Sequence, residues 1–128
     1  MDWQEAKDIE EKLEDIVKYV DFSHIKLSRV YCYRTKGSKT SAYARTWSFP
    51  KIFQQALSIE PAYVIEVLSQ HFDKLDEDKK KKVLIHELLH IPKNFSGALL
   101  PHKSRSRNIN TLANQLFKEY KSKQTSQS

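Results

Sequence analysis

One cysteine, one methionine and two glycines are all that these 128 residues contain of those types. With Cys32 alone, no internal disulfide can form and a cysteine-ligated zinc site is excluded. Cys32 sits in an apolar-aromatic segment and reads as a small buried side chain. So little glycine excludes collagen-like and glycine-rich low-complexity chains. No stretch approaches the roughly 18 apolar residues of a membrane span. The opening Met1-Asp2-Trp3-Gln4-Glu5 lacks the basic-then-apolar pattern of a secretion signal, so a cytoplasmic location is the expectation. Internal repeats and composition breaks are also missing. The reading is one domain over residues 1–121, with a polar tail over 122–128 that is expected to be disordered.

What is present suits a modest core. Two Trp, six Phe and six Tyr accompany many Leu, Ile and Val. The net charge is +6 and unevenly placed. Lys79 to Lys82 form one cluster, but four successive residues on a helix point all round its axis and make no single docking stripe. Lys103, Arg105 and Arg107 form a second group, which could meet nucleic acid or another anionic partner.

Trp3, Ala6, Ile9, Leu13, Ile16, Val17 and Val20 recur at helical steps and predict a helix over residues 2–20. Ile25 to Arg34 and Ala42 to Phe49 alternate as strands do. With the polar turn at 35–41 between them, they predict a hairpin ended by Pro50. Ile52 to Leu57 is too short to assign. Ala62 to Leu68, rich in β-branched and aromatic residues, is the clearest strand. Asp76 suits an N-cap, and the next helix should run from Glu77 to Ile91, where Pro92 stops it. Residues 93–107 read as a loop, and the stripe Ile109, Leu112, Ala113, Leu116, Phe117, Tyr120 predicts a last helix to about 121.

Within the 77–91 helix stands His86-Glu87-Leu88-Leu89-His90, the His-Glu-x-x-His pattern that offers a zinc ion two imidazoles beside a carboxylate. Residues four apart point about 40° apart on one face, and Leu84, Ile85, Leu88 and Leu89 gather opposite. A hydrolytic zinc site takes three protein ligands and leaves a position for water. His102, after the Pro92–Pro101 loop, is the favoured third ligand, with Glu119 and then His71 as rivals. His24 has little to recommend it. A metzincin spacing is excluded, because Lys93 and Ser96 stand where its glycine and third histidine would be.

Zinc held this way brings the pKa of its water to about 7. Glu87 would accept that water's proton as general base and pass it to a leaving amine. Lys103, Arg105 and the tyrosines are unranked candidates to stabilise the oxyanion. An alternative reading is a basic nucleic-acid-binding or regulatory module with structural zinc, bound through Lys103 to Arg107.

The stretch His86-Glu87-Leu88-Leu89-His90-Ile91-Pro92, with Phe95-Ser96-Gly97 and His102, resembles the small "putative phage metallopeptidase" family. Ala62 to Val67 and Trp47-Ser48-Phe49-Pro50-Lys51 extend the likeness over residues 24–120. The resemblance implies a minimal zincin-like α+β domain that hydrolyses peptide bonds. Its parts would be an N-terminal helix, a mostly antiparallel sheet of about three strands, the active-site helix and a C-terminal helix. It further implies one Zn2+ at His86, His90 and His102, with Glu87 catalytic. In zincins an edge strand beside the active helix holds extended substrate, a role that falls here to Ala62–Leu68.

Overall fold

The computed structural model describes residues 2–104 and 107–126, with the backbone alone at 104 and 107. Helix α1 (Lys7–Tyr19) buries Ile9, Leu13 and Ile16 along one stripe and carries Asp8 and Glu10 in its first turn. It does not extend back to residue 2. Asp2–Glu5 form strand β1, antiparallel to β2 (Val30–Lys36) with Trp3 opposite Thr35. Trp3 fits the helical spacing, but its indole is largely exposed and donates to Glu66 instead of packing with Ile9.

The sheet runs β1-β2-β4-β3, with β3 at Ala44–Ser48 and β4 at Tyr63–Leu68. β4 lies parallel to β2 and antiparallel to β3, so the expected hairpin does not form. Two features of the sequence account for this. Five of β4's six residues are buried, which suits a central strand covered on both faces. The segment between β2 and β3 also exceeds the two to five residues typical of a hairpin loop, and it has length to pass across β4. The α+β class holds, with a four-stranded mixed sheet in place of about three mostly antiparallel strands.

Helix α2 (Lys51–Leu57) fills the unassigned segment, and a single turn, α3 (Ser69–Phe72), follows β4. Helix α4 (Glu77–Leu88) begins as expected, its Asp76 side chain accepting from the Lys79 N–H at 2.9 Å. It ends before Ile91. The N–H groups of His90 and Ile91 bond to the carbonyls of Glu87 and Leu88, tightening the last turn to i→i−3 pairing ahead of Pro92. A two-stranded ribbon, β5 (Lys103–Ser104) with β6 (Arg107–Asn108), leads into α5. α5 (Ile109–Ser126) starts on an Asn108 cap and runs past the expected end near 121.

The core lies between one face of the sheet and α1, α4 and α5. Val30, Cys32, Ile65 and Val67 meet Leu13, Leu84, Ile85, Leu88 and Ile109 there. Each such aliphatic side chain contributes about 1.5–3 kcal/mol by leaving water. Lys81 of α4 joins Asp15 of α1 at 2.5 Å and the Tyr120 hydroxyl of α5 at 2.9 Å, tying the three helices where they meet. No described helix is long and apolar enough to cross a membrane.

Candidate metal centre

Packing of Leu84, Ile85 and Leu88 into the core turns the other face of α4 outward, and His86 goes with it. His90 stands in the tightened turn just past the helix end. The chain then returns to the same place by a braced loop. Tyr63 of β4 accepts from the Gly97 N–H at 2.8 Å and donates to the Ala98 carbonyl at 2.9 Å. Its ring packs edge-on against Phe95, 5.0 Å between centroids. Gly97 has φ +94°, and a Cβ there would lie 2.0 Å from the Gln54 side chain. Leu100 closes the loop on His90, its N–H reaching the His90 carbonyl at 2.7 Å and its carbonyl the His90 Nδ1 at 2.6 Å.

This path delivers His102 to the other two histidines. Ligand atoms of His86, His90 and His102 all lie within 4.8 Å of one another, with ring centroids 4.5–5.1 Å apart. The three could hold a metal ion. Their chemistry fits one. His90 gives its Nδ1 hydrogen to the Leu100 carbonyl, which leaves the Nε2 lone pair free. Burial and the neighbouring His90 and His102 rings pull His86 down to about 4, against a hydrogen bond that the His86 ring donates to the Asn110 side-chain oxygen. The ring is therefore neutral, the state a ligand needs.

Glu87 is buried beside these rings at 6% exposure. Thr46 of β3 donates to its Oε1 at 2.8 Å. Burial pushes its carboxyl above the usual range, while the Thr46 bond and His102 oppose the rise. Two clefts meet at this carboxylate. One, of about 420 Å³, is lined by Tyr43, Lys82, His86, His102, Asn110 and Asn114, among others. The second, of about 410 Å³, includes Thr46, His90, Leu99, Leu100 and Pro101. Glu87, Ala44 and His102 border both.

The rival ligands lie elsewhere. Glu119 pairs with Lys123 at 2.7 Å. His71 sits against the Gln70 amide and the Tyr43 ring, and His24 against Phe22. Among the described residues the ligand cluster is His86, His90 and His102. Of the basic group after His102, Lys103 is exposed and Arg105 lies outside the described residues.

One expectation is overturned by the strand order. β4 is flanked by β2 and β3 and cannot accept an added strand, so Ala62–Leu68 is not the edge beside the site. That edge is β3, which Thr46 ties to α4. Thr46, Asn110, Tyr63 and the Leu100 carbonyl escape a reading of the sequence. Thr46 and Tyr63 reach the centre from distant strands, Leu100 and Asn110 from either side of His102, and none belongs to a local pattern.

A family model described as "putative phage metallopeptidase" matches residues 1–121. No curated protein and no solved structure matches the chain. Nearly the whole chain is covered by that model, and it belongs to this metallopeptidase family.

Proposed function

We propose that this chain is a zinc-dependent peptidase whose metal ligands are His86, His90 and His102 and whose general base is Glu87. The observation that carries the reading is Glu87 itself. A carboxylate held by Thr46 beside three clustered imidazoles, at the meeting of two clefts, has no use in a structural metal site. Structural zinc sites are usually closed by four protein ligands, whereas the described residues here supply three. Zinc, which imidazole donors suit, would supply a Lewis acid to polarise a peptide carbonyl and to acidify a water.

The chain's own groups do the remaining work. The exposed edge of β3 aligns an extended peptide by strand addition, bringing its backbone past Glu87. Glu87 takes a proton from the attacking water and delivers it to the departing amine nitrogen. Burial and the Thr46 hydrogen bond hold its carboxylate in one place for both halves of that exchange. The Leu100 carbonyl keeps His90 in one tautomer and one orientation throughout.

The test pairs metal content with cleavage. Untagged full-length protein should carry about one zinc per chain, and His102→Ala clearly less. A mixed peptide pool incubated with zinc-loaded protein should be cleaved, while Glu87→Gln keeps its zinc and loses about 100-fold or more of the rate. Zinc-free protein after zinc is supplied, or undiminished cleavage by Glu87→Gln, sinks the reading.

A further inference from the structure

From the cleft between α4 and α5 we infer that the site selects peptides with an acidic side chain, Asp or Glu, next to the bond to be cleaved. The inference rests on the peptidase reading for the word cleaved, but the recognition it describes can be measured by binding alone.

The lysine run at the start of α4 is not uniform. Lys80 pairs with Glu77, and its ammonium also sits over Phe72. Lys81 is spent on Asp15 and Tyr120. Lys82 differs from both. It has no carboxylate partner among the described residues, lies over the Phe117 ring at 5.3 Å, and lines the cleft that contains His86, Glu87 and His102. Lys82 precedes His86 by four residues, which is just over one turn, or about 6 Å along the helix axis. Its ammonium therefore serves a group one side chain away from the reacting position.

The opposite wall of the cleft adds amides. Asn110 and Asn114, four apart on α5, both line it. Asn110 hydrogen-bonds to His86 through one end of its side chain. An amide that accepts through its oxygen still has its NH2 hydrogens to give. Among the described residues Glu87 is the sole carboxylate lining this cleft, at its metal end. An ammonium with two amides, and no competing acid beyond Glu87, is complementary to a carboxylate and repels a substrate lysine or arginine.

The second cleft makes a useful contrast. Arg45 lines it, but its Nε already binds the buried Glu66 at 2.6 Å and its guanidinium lies over Trp47. Leu99, Leu100 and Pro101 also line it. Acid selection is thus assigned to the α4–α5 side only.

The experiment uses the full chain carrying Glu87→Gln and supplied with zinc, so that turnover is slow against the titration. N-acetylated, amidated pentapeptides with one central Glu, Gln or Lys among alanines are titrated, with side-chain amide resonances of Asn110 and Asn114 followed by NMR. The Glu peptide should bind about tenfold more tightly than the Lys peptide, as one charge-assisted contact at a half-open site allows. It should also shift both asparagine resonances. Adding Lys82→Glu, at an exposed position, should leave the far-UV circular dichroism unaltered and reverse the order of Glu and Lys peptides. Equal binding of the three peptides, no saturable binding of any, or a Glu preference that survives Lys82→Glu overturns the inference. Zinc bound without discrimination leaves the peptidase reading standing and removes this one. Discrimination without zinc does the opposite.

Discussion

Thr46 on the edge strand donates its hydroxyl hydrogen to the Glu87 carboxylate on α4 at 2.8 Å. The same hydroxyl lies 3.3 Å from the Glu87 backbone carbonyl, so one side chain fixes both the rotamer of Glu87 and the distance between strand and helix. The strand that would align a substrate is thereby referenced to the group that would move its protons.

Thr46 is accordingly a positioning residue, and its loss should be felt in turnover. Thr46→Val keeps the shape and removes the donor, leaving a buried carboxylate oxygen without its partner. We expect kcat to fall about tenfold with KM little changed and zinc content unaltered. Thr46→Ser should recover most of the rate. If valine and serine variants are equally impaired, the hydroxyl has no such role.

How much of this could be read from the chain alone follows from how local each feature is. His86, Glu87 and His90 share one stretch whose burial and spacing are set within three turns, so they stand out. His102 emerges because a chain with five histidines offers few alternatives. Trp3 fits a helical stripe as well as it fits an edge strand, and the choice is made by backbone pairing with residues 33–36. Strand order is harder still. Val30–Lys36 and Ala44–Ser48 are adjacent in sequence, but β4 takes the place between them, where five of its six residues are buried. Thr46 and Asn110 acquire meaning only after that order is fixed.

The loop that returns His102 depends on Gly97. Its φ of +94° is one that residues with a Cβ rarely adopt, and an added methyl would also meet Gln54 and the Phe49 carbonyl. Gly97→Ala should cost about 1–3 kcal/mol in urea unfolding and weaken zinc binding with it, since His90 and His102 are braced through the same segment. Gln54 is a flexible side chain and can withdraw, so Gln54→Ala should restore little of the loss. Unchanged stability and zinc affinity in Gly97→Ala would show that the loop does not set the third ligand.

The opposite face of the sheet supplies the pH test. Glu66, 1% exposed, accepts from Trp47 at 2.7 Å, Trp3 at 3.2 Å, Arg45 at 2.6 Å and the Thr35 hydroxyl. Burial alone would raise this carboxyl, but Arg45 and the three neutral donors outweigh it and hold it at about 2, against 4.5 for a free glutamate. A pKa lowered by folding gives stability that is complete above about 4.5 and is lost as pH falls toward about 2, because the unfolded chain takes up the proton first. The full contribution is on the order of 3 kcal/mol. Between pH 6 and pH 3 the urea midpoint of the native chain should fall, while Glu66→Gln, less stable at neutral pH, should show a shallower pH slope over the same interval. Fluorescence is the natural probe, since Trp3 and Trp47 are the protein's two tryptophans and both indoles point at this carboxylate. Parallel slopes for the two proteins would mean that the acid sensitivity lies in other carboxylates, such as Asp8 and Asp15, which are also held below their usual range.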